Sequence, residues 1–260
     1  MPLLLLAITI LSVQQGDAVV IRFPANPAIT KAVFDGQSVP FFPYRESYRA
    51  VFGIPADKKP GQYLFVADFQ DDQKIEQEIR VRKRKFPLVI QPLPPTVKLT
   101  AQEVTQNIQK EKKKIESLLT ITPEIFFNKL FGLPLRDNRQ ITGSFGEIRK
   151  MGDQQIRHLG MDFYAPLGTP VAAINNGRIK KSYFDPVYGN SIFIDHGGGI
   201  FSLYLHLDKI LIKEGDRVNK GQVIGRVGQT GLATAPHLHL SIKIGSVAVD
   251  PVRFVSAFSD

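Results

Sequence analysis

Between residues 140 and 254 the chain is rich in glycine and broken into strand-length runs: TPVAAI, GNSIFIDHG, IFSLYLHL and HLHLSIKI. Runs this short, closed off by turn residues, commit this half to an all-β domain with tight turns. Successive side chains of a strand face opposite ways. In HLHL the imidazoles of His237 and His239 therefore share one face, while Leu238 and Leu240 point into a core. IFSLYLHL predicts the same geometry for His206, with Tyr204 on its face. His158 and Asp162, four apart in RHLGMD, share a face in a strand or a helix, and Gly160 between them favours an extended or looped path. Four of the five histidines thus fall in three short motifs.

The chain has no cysteine, which excludes thiol catalysis and leaves imidazole as the one borderline-soft ligand type for a transition metal. Three protein ligands leave a coordination position open for water, as a catalytic zinc requires, whereas a structural zinc is closed by four. The constellation reads as a metallohydrolase. No glutamate stands in an H-E-x-x-H motif, so a general base must come from elsewhere, and a neutral imidazole with an ordinary pKa near ~6.5 can serve.

At 260 residues and 43% hydrophobic, the chain has enough apolar content for one large domain or two modest ones. The apolar run at 2–13 is shorter than the ~20 residues of a membrane span and fits a leader peptide, although no Lys or Arg precedes it. Gly16 and Ala18 form a small-x-small pattern that places cleavage after Ala18. Export without cysteine means stability from packing alone. The net charge of +9 favours anionic partners such as an acidic wall or membrane surface, and export argues against nucleic acid. The basic runs RVRKRK and KEKKK are either a binding patch or a solvated face.

Residues 19–86 alternate as short strands. Tyr63, Phe65, Ala67 and Phe69 fall on one side, Ile75, Gln77, Ile79 and Val81 repeat the period, and Asp71 with Asp72 supplies the turn between them. Prolines and glycines bound the remaining runs, which predicts a small Ig-like β-sandwich. It contains no histidine. Residues 87–139 form a linker: QPLPP is extended, Thr100 with Glu103 makes a capping box, and a helix with a narrow apolar stripe (Val104, Ile108, Ile115, Leu118, Leu119) follows to about 119. A second short helix is expected over 123–130. The expected division is leader 1–18, sandwich 19–86, linker 87–139 and a catalytic domain at 140–255, mainly β throughout. ILIKEGDRVNKGQVIGRVGQTG resembles the hairpins of biotinyl and lipoyl carrier domains, but the lysine tetrapeptide those domains modify is missing.

Taken in order, ITGSFGEIR, HLGMDFYAPLGTPVAA, GNSIFIDHGGG, YLHL, GDRVNKGQVIG and GQTGLATAPHLHL make residues 141–255 resemble the M23 zinc metallopeptidases, the lysostaphin-like or LytM-type peptidoglycan endopeptidases. The resemblance implies a barrel-sandwich-like antiparallel domain. It implies zinc (Zn2+) held by His158, Asp162 and His239, with His206 and His237 as the catalytic pair. His206 is assigned as general base; His237 would stabilise the oxyanion or protonate the leaving amine, and the two roles are interchangeable. Tyr204 is either an oxyanion donor or a packed aromatic, Asn190 either orients substrate or serves a turn, and His196 reads as structural. Two departures stand out. Ala235 replaces a usual glycine, and Ser241 replaces a usual glutamate that would bear on a ligating imidazole. The substrate implied is the peptide cross-links of peptidoglycan, reached in a periplasmic or extracellular, wall-associated setting. Cover of the cleft by the N-terminal domain or the linker is left open. The alternative is an inert LytM-type module that binds and activates a wall amidase; such modules typically lack a zinc ligand, whereas this chain carries all three.

Overall fold

The computed structural model describes residues 10–93, 98–122, 124–127, 130–136 and 140–258. The first half is a sandwich. One sheet runs in the order Leu11–Gln14, Lys74–Arg82, Gly61–Phe69, Ile29–Phe34, Gln37–Ser38, and faces a second of Ala18–Pro24, Ser47–Gly53 and Phe41–Tyr44. The alternation in Gly61–Phe69 is realised, with Phe65, Ala67 and Phe69 buried. Phe52 of the facing sheet stacks on Phe34 and Phe65 at centroid separations of 4.5 and 5.6 Å, and aromatic pairs at such distances add to burial.

This sandwich begins earlier than its expected boundary at Val19. Leu11–Gln14 pairs in parallel with Lys74–Arg82, and Val13 is buried in the sandwich core. Gly16 donates its N–H to Ile54 and accepts from the N–H of Asp250, while the Asp17 carboxylate holds Arg253 at 2.6 Å. Residues 10–18 are therefore packed chain. Residues 1–9, the start of the expected leader, lie outside the described residues.

In the second half a long sheet runs Ile141–Gly143, Met161–Tyr164, His237–Ile244, Ile200–Leu207, Gly189–Gly197, Gly177–Asp185, Arg217–Val218, antiparallel at every step. A smaller sheet consists of Pro170–Ala172, Val223–Arg226 and Lys209–Ile210, so the GDRVNKGQVIG segment crosses from the long sheet at Arg217–Val218 to this one at Val223. One face of the long sheet presents Phe163, Tyr204, Leu238, Leu240 and Ile242 to a core shared with Phe42 and Val51 of the sandwich. One face of the sandwich thus joins the apolar interior of the second half, while the sandwich keeps a separate core between its own sheets. A short helix, Pro251–Ala257 (α2), N-capped by Asp250, contributes Phe254 to it, and Arg84 of RVRKRK ties Asp250 to the sandwich at 2.7 Å.

The linker does more than connect. Its Leu88–Ile90 strand pairs in parallel with Ile148–Met151 of the second half. The helix Ala101–Leu118 (α1) forms where expected, with both hydrogen bonds of the Thr100–Glu103 capping box. Ile115 packs against Phe193, Phe201, Leu203 and Leu205, on the opposite face of the long sheet. The second helix does not form among the described residues of 123–130. Ile125 instead bridges to Gly197, Glu124 accepts the Gly198 N–H, and Phe127 enters the shared core. Tertiary pairing outcompetes the short local propensity there.

Candidate metal centre

Three adjacent segments build the site. In His237–Ile244 the expected alternation holds: Leu238 and Leu240 are fully buried in the core and His239 lies on the other face. Asp162 sits directly across from His239 in the neighbouring strand, with Met161 and Phe163 pointing to the core. His158 arrives from the loop before that strand. Gly160 is required in this loop, because a Cβ there would come within 2.3 Å of His239 Nε2.

The ligand atoms converge. His158 Nε2, Asp162 Oδ1 and His239 Nδ1 are 3.1, 2.9 and 2.8 Å apart pairwise, and all three residues are buried. Outer partners fix the protons. His158 Nδ1 faces the Ser144 carbonyl at 2.9 Å, so it carries the hydrogen and leaves Nε2 a lone pair. Ser241 Oγ donates to the Leu159 carbonyl and accepts at 3.2 Å from His239 Nε2, which leaves Nδ1 a lone pair. Two imidazole lone pairs and a carboxylate oxygen therefore meet with no hydrogen between them. That arrangement requires a cation and fits zinc, whose tetrahedral sites accept this donor set with one position open.

Electrostatics favour the charged carboxylate. Burial alone would raise the Asp162 carboxyl, but a proton shared with His158 and His239 outweighs it and holds the group well below the usual carboxylate range; with both lone pairs free, a bound cation supplies that positive charge instead. Its second oxygen accepts from Arg149 Nη2 at 2.5 Å, and Arg149 is also paired with Glu147. Such outer contacts orient a ligating carboxylate.

His206 corrects the sequence expectation. Its strand places Tyr204 and Leu207 in the shared core, and Leu203 and Leu205 toward α1. Simple alternation would send His206 to the core with Tyr204. Instead it adopts φ +62° at an irregularity in the pairing with Gly189–Gly197, which re-aims the ring to the site. There it lies 4.9 Å from the ring of His237 and 6.1 Å from that of His239. Its Nδ1 donates to the Thr230 carbonyl at 2.8 Å. Burial, then the neighbouring imidazoles, push it down to about 3, so the ring is neutral at neutral pH. His237 is less buried and anchors its Nδ1 on the Ala235 carbonyl at 2.8 Å.

Other expectations resolve. The Tyr204 hydroxyl points away from the site and accepts from the Ile174 N–H; it is structural. Asn190 spends its amide on the Leu207 and Asp208 carbonyls, a loop-holding role. His196 is buried in the core beside Phe131. Ser241 meets His239 Nε2 at the position where the sequence placed a contact to a ligating imidazole, whereas the role of Arg149 as an outer partner was not legible, although ITGSFGEIR contains it.

A cleft of about 300 Å³ runs from His158, His206 and His239 along the sheet, and α1 forms its opposite wall through Val104, Ile108 and Ile115. The linker helix thus covers part of the face that carries the centre.

Comparison with known proteins agrees with this geometry. Residues 156–251 match the profile of peptidase family M23. The chain is 36% identical over 117 residues to the peptidoglycan DD-endopeptidase ShyC of Vibrio cholerae, covering 44% of this chain and 27% of ShyC. It is 44% identical over 95 residues to the DD-carboxypeptidase/endopeptidase Mpg of Neisseria meningitidis, covering 36% of this chain and 22% of Mpg. The matched part is about a quarter of the length of these relatives. A Pseudomonas aeruginosa structure described as an M23 peptidase superposes with a TM-score of 0.71 at 26% identity, covering 94% of this chain and 95% of that one. A buried His-Asp-His centre on an antiparallel sheet, a matching family profile and a fold shared end to end with an M23 peptidase agree: the chain belongs to peptidase family M23.

Proposed function

We propose that the chain is an exported zinc endopeptidase that hydrolyses peptide cross-links of bacterial peptidoglycan in wall remodelling. The observation that carries this reading is the convergence of three lone pairs in a buried pocket, with two further imidazoles beside it. The names of ShyC and Mpg support the substrate. Held by His158, Asp162 and His239, zinc supplies a Lewis acid and a water acidic enough to react near neutral pH. Because its Nδ1 is committed to Thr230, His206 presents a neutral Nε2 that takes a proton as general base. His237, more exposed, hydrogen-bonds the developing oxyanion or returns the proton to the leaving amine. The complete donor set argues against the inert-module alternative.

Export is read from the apolar run at 2–13, and the pairing of Leu11–Gln14 with Lys74–Arg82 supports a processing point upstream of Leu11. No helix among the described residues is long and apolar enough to cross a membrane.

The test is incubation of the full chain with purified peptidoglycan, with and without a chelator, beside His206→Ala, and mass spectrometry of the released fragments. New amine ends that vanish with chelator and in the variant are expected. Intact wall in the presence of stoichiometric zinc would refute the peptidase reading.

A further inference from the structure

The cleft between α1 and the sheet has a one-sided charge. Lys112, Arg149, Arg157 and Lys243 line it, and no aspartate or glutamate does. Three of these cations are committed or solvated. Arg149 is held by Glu147 and Asp162, Arg157 donates to the Gly146 carbonyl and lies over the Phe86 ring, and Lys112 is on the exposed side of α1.

Lys243 differs. It is 7% exposed and lies on the same face of the His237–Ile244 strand as His239, two positions beyond the neutral Ser241. Its ammonium makes one long hydrogen bond, 3.4 Å to the Ser246 carbonyl, and has no ion pair among the described residues. Glu116 of α1 acts on it only from beyond ion-pair distance, and Lys112 opposes that effect. A buried ammonium with three donors and one weak acceptor is a costly arrangement unless an anion completes it.

We propose that Lys243 is a specificity residue that receives a free carboxylate of the substrate peptide. It stands four strand positions beyond the ligand His239, about 13 Å at ~3.3 Å per residue. An extended peptide lying along the cleft floor would bring to it a carboxylate three to four residues from the bond cut. The apolar side chains of Leu203, Leu205 and Ile115 exclude water from the same stretch, which strengthens a charge-assisted contact. The carboxamide form of that residue would leave the ammonium unpaired. This inference rests on the peptidase reading for its substrate but concerns a separate part of the cleft.

The test uses short synthetic peptides in which one glutamate is moved along the chain, each paired with its glutamine counterpart. Binding to the zinc-loaded full chain is measured by fluorescence anisotropy with uncleavable versions, and hydrolysis with cleavable ones. With the glutamate at the third or fourth residue from the scissile bond, wild type should bind it roughly tenfold to a hundredfold more tightly than the glutamine peptide, the range for a hydrogen bond to a charged group. Lys243→Gln should lose that preference, and Lys243→Arg should retain most of it. Thermal melts establish that each variant is folded. Equal binding of both peptides by wild type, or a preference that survives in Lys243→Gln, overturns the proposal. A charge preference in binding without hydrolysis of any peptide would leave Lys243 as the carboxylate receptor and defeat the peptidase reading alone.

Discussion

His196 offers a quantitative test of the core. The ring is fully buried, its Nδ1 lies 2.7 Å from the Asn176 carbonyl, and its Nε2 lies 2.8 Å from Ser202 Oγ. A carbonyl only accepts, so Nδ1 carries the hydrogen and Nε2 accepts from the serine hydroxyl. Protonating Nε2 would break that contact and bury a charge beside Phe131. Burial accordingly moves His196 from 6.5 down to about 4, against a smaller opposing effect of the Asn176 hydrogen bond. The sign follows from linkage. A folded-state pKa below the unfolded one gives a contribution fully present above about 6.5 and lost as pH falls toward 4. The gap corresponds to about 3 kcal/mol, with a slope approaching 1.4 kcal/mol per pH unit for the one proton bound on unfolding. Urea unfolding with chelator present, at intervals between pH 7 and 4, measures the slope for wild type and His196→Gln. The other buried histidines titrate in both proteins and cancel in the comparison. The variant should be less stable at pH 7 yet lose stability less steeply, by about one proton. Equal slopes would refute the assignment of His196 as a buried neutral ring.

Gly160→Ala should weaken zinc binding about tenfold to hundredfold by isothermal titration, as loss of a supporting contact does, with the sandwich core unaffected, since its Cβ would meet His239 Nε2 and the Leu240 carbonyl. Val13→Asp places a charge in the sandwich core and should lower the melting temperature by several degrees, about 4 °C or more per kcal/mol for small domains and less for larger ones; a chain beginning at Val19 should likewise melt lower, and an unchanged melt in both would remove Leu11–Gln14 from the fold. Ile115→Ala should cost about 2 kcal/mol or more of packing and speed hydrogen exchange through α1, leaving the His237–Ile244 strand protected.

What the sequence made legible depended on how local the cause is. His239, Leu238 and Leu240 obey strict alternation because their strand is regular and central, so the ligand face was readable from four letters. His206 lies beside His237 and His239 by a geometry other than the expected alternation: nothing in LYLHL announces a left-handed residue, which the mismatch with the neighbouring strand imposes. Leu11–Gln14 reads as the end of a leader in sequence and forms a strand in the structure, because an apolar run followed by small residues also describes an edge strand entering a turn, here with Gly16 at φ +86°. The capping box placed the start of α1 correctly, since capping is settled within four residues. Which surface the narrow stripe of α1 would cover was settled by Leu203 and Leu205, almost a hundred residues away.

That placement of α1 bears on how such a chain can be taken apart. A segment drawn from the family match alone, 156–251, would omit Arg149, Ser144, the Leu88–Ile90 strand and the whole helical wall of the cleft. The ligands would remain in sequence, but the carboxylate would lose its guanidinium and His158 the carbonyl that sets its tautomer. The unit that can be transplanted intact begins before the linker helix. Because one face of the sandwich joins the interior of the second half, the cuts that preserve every buried face lie at the two ends of the chain.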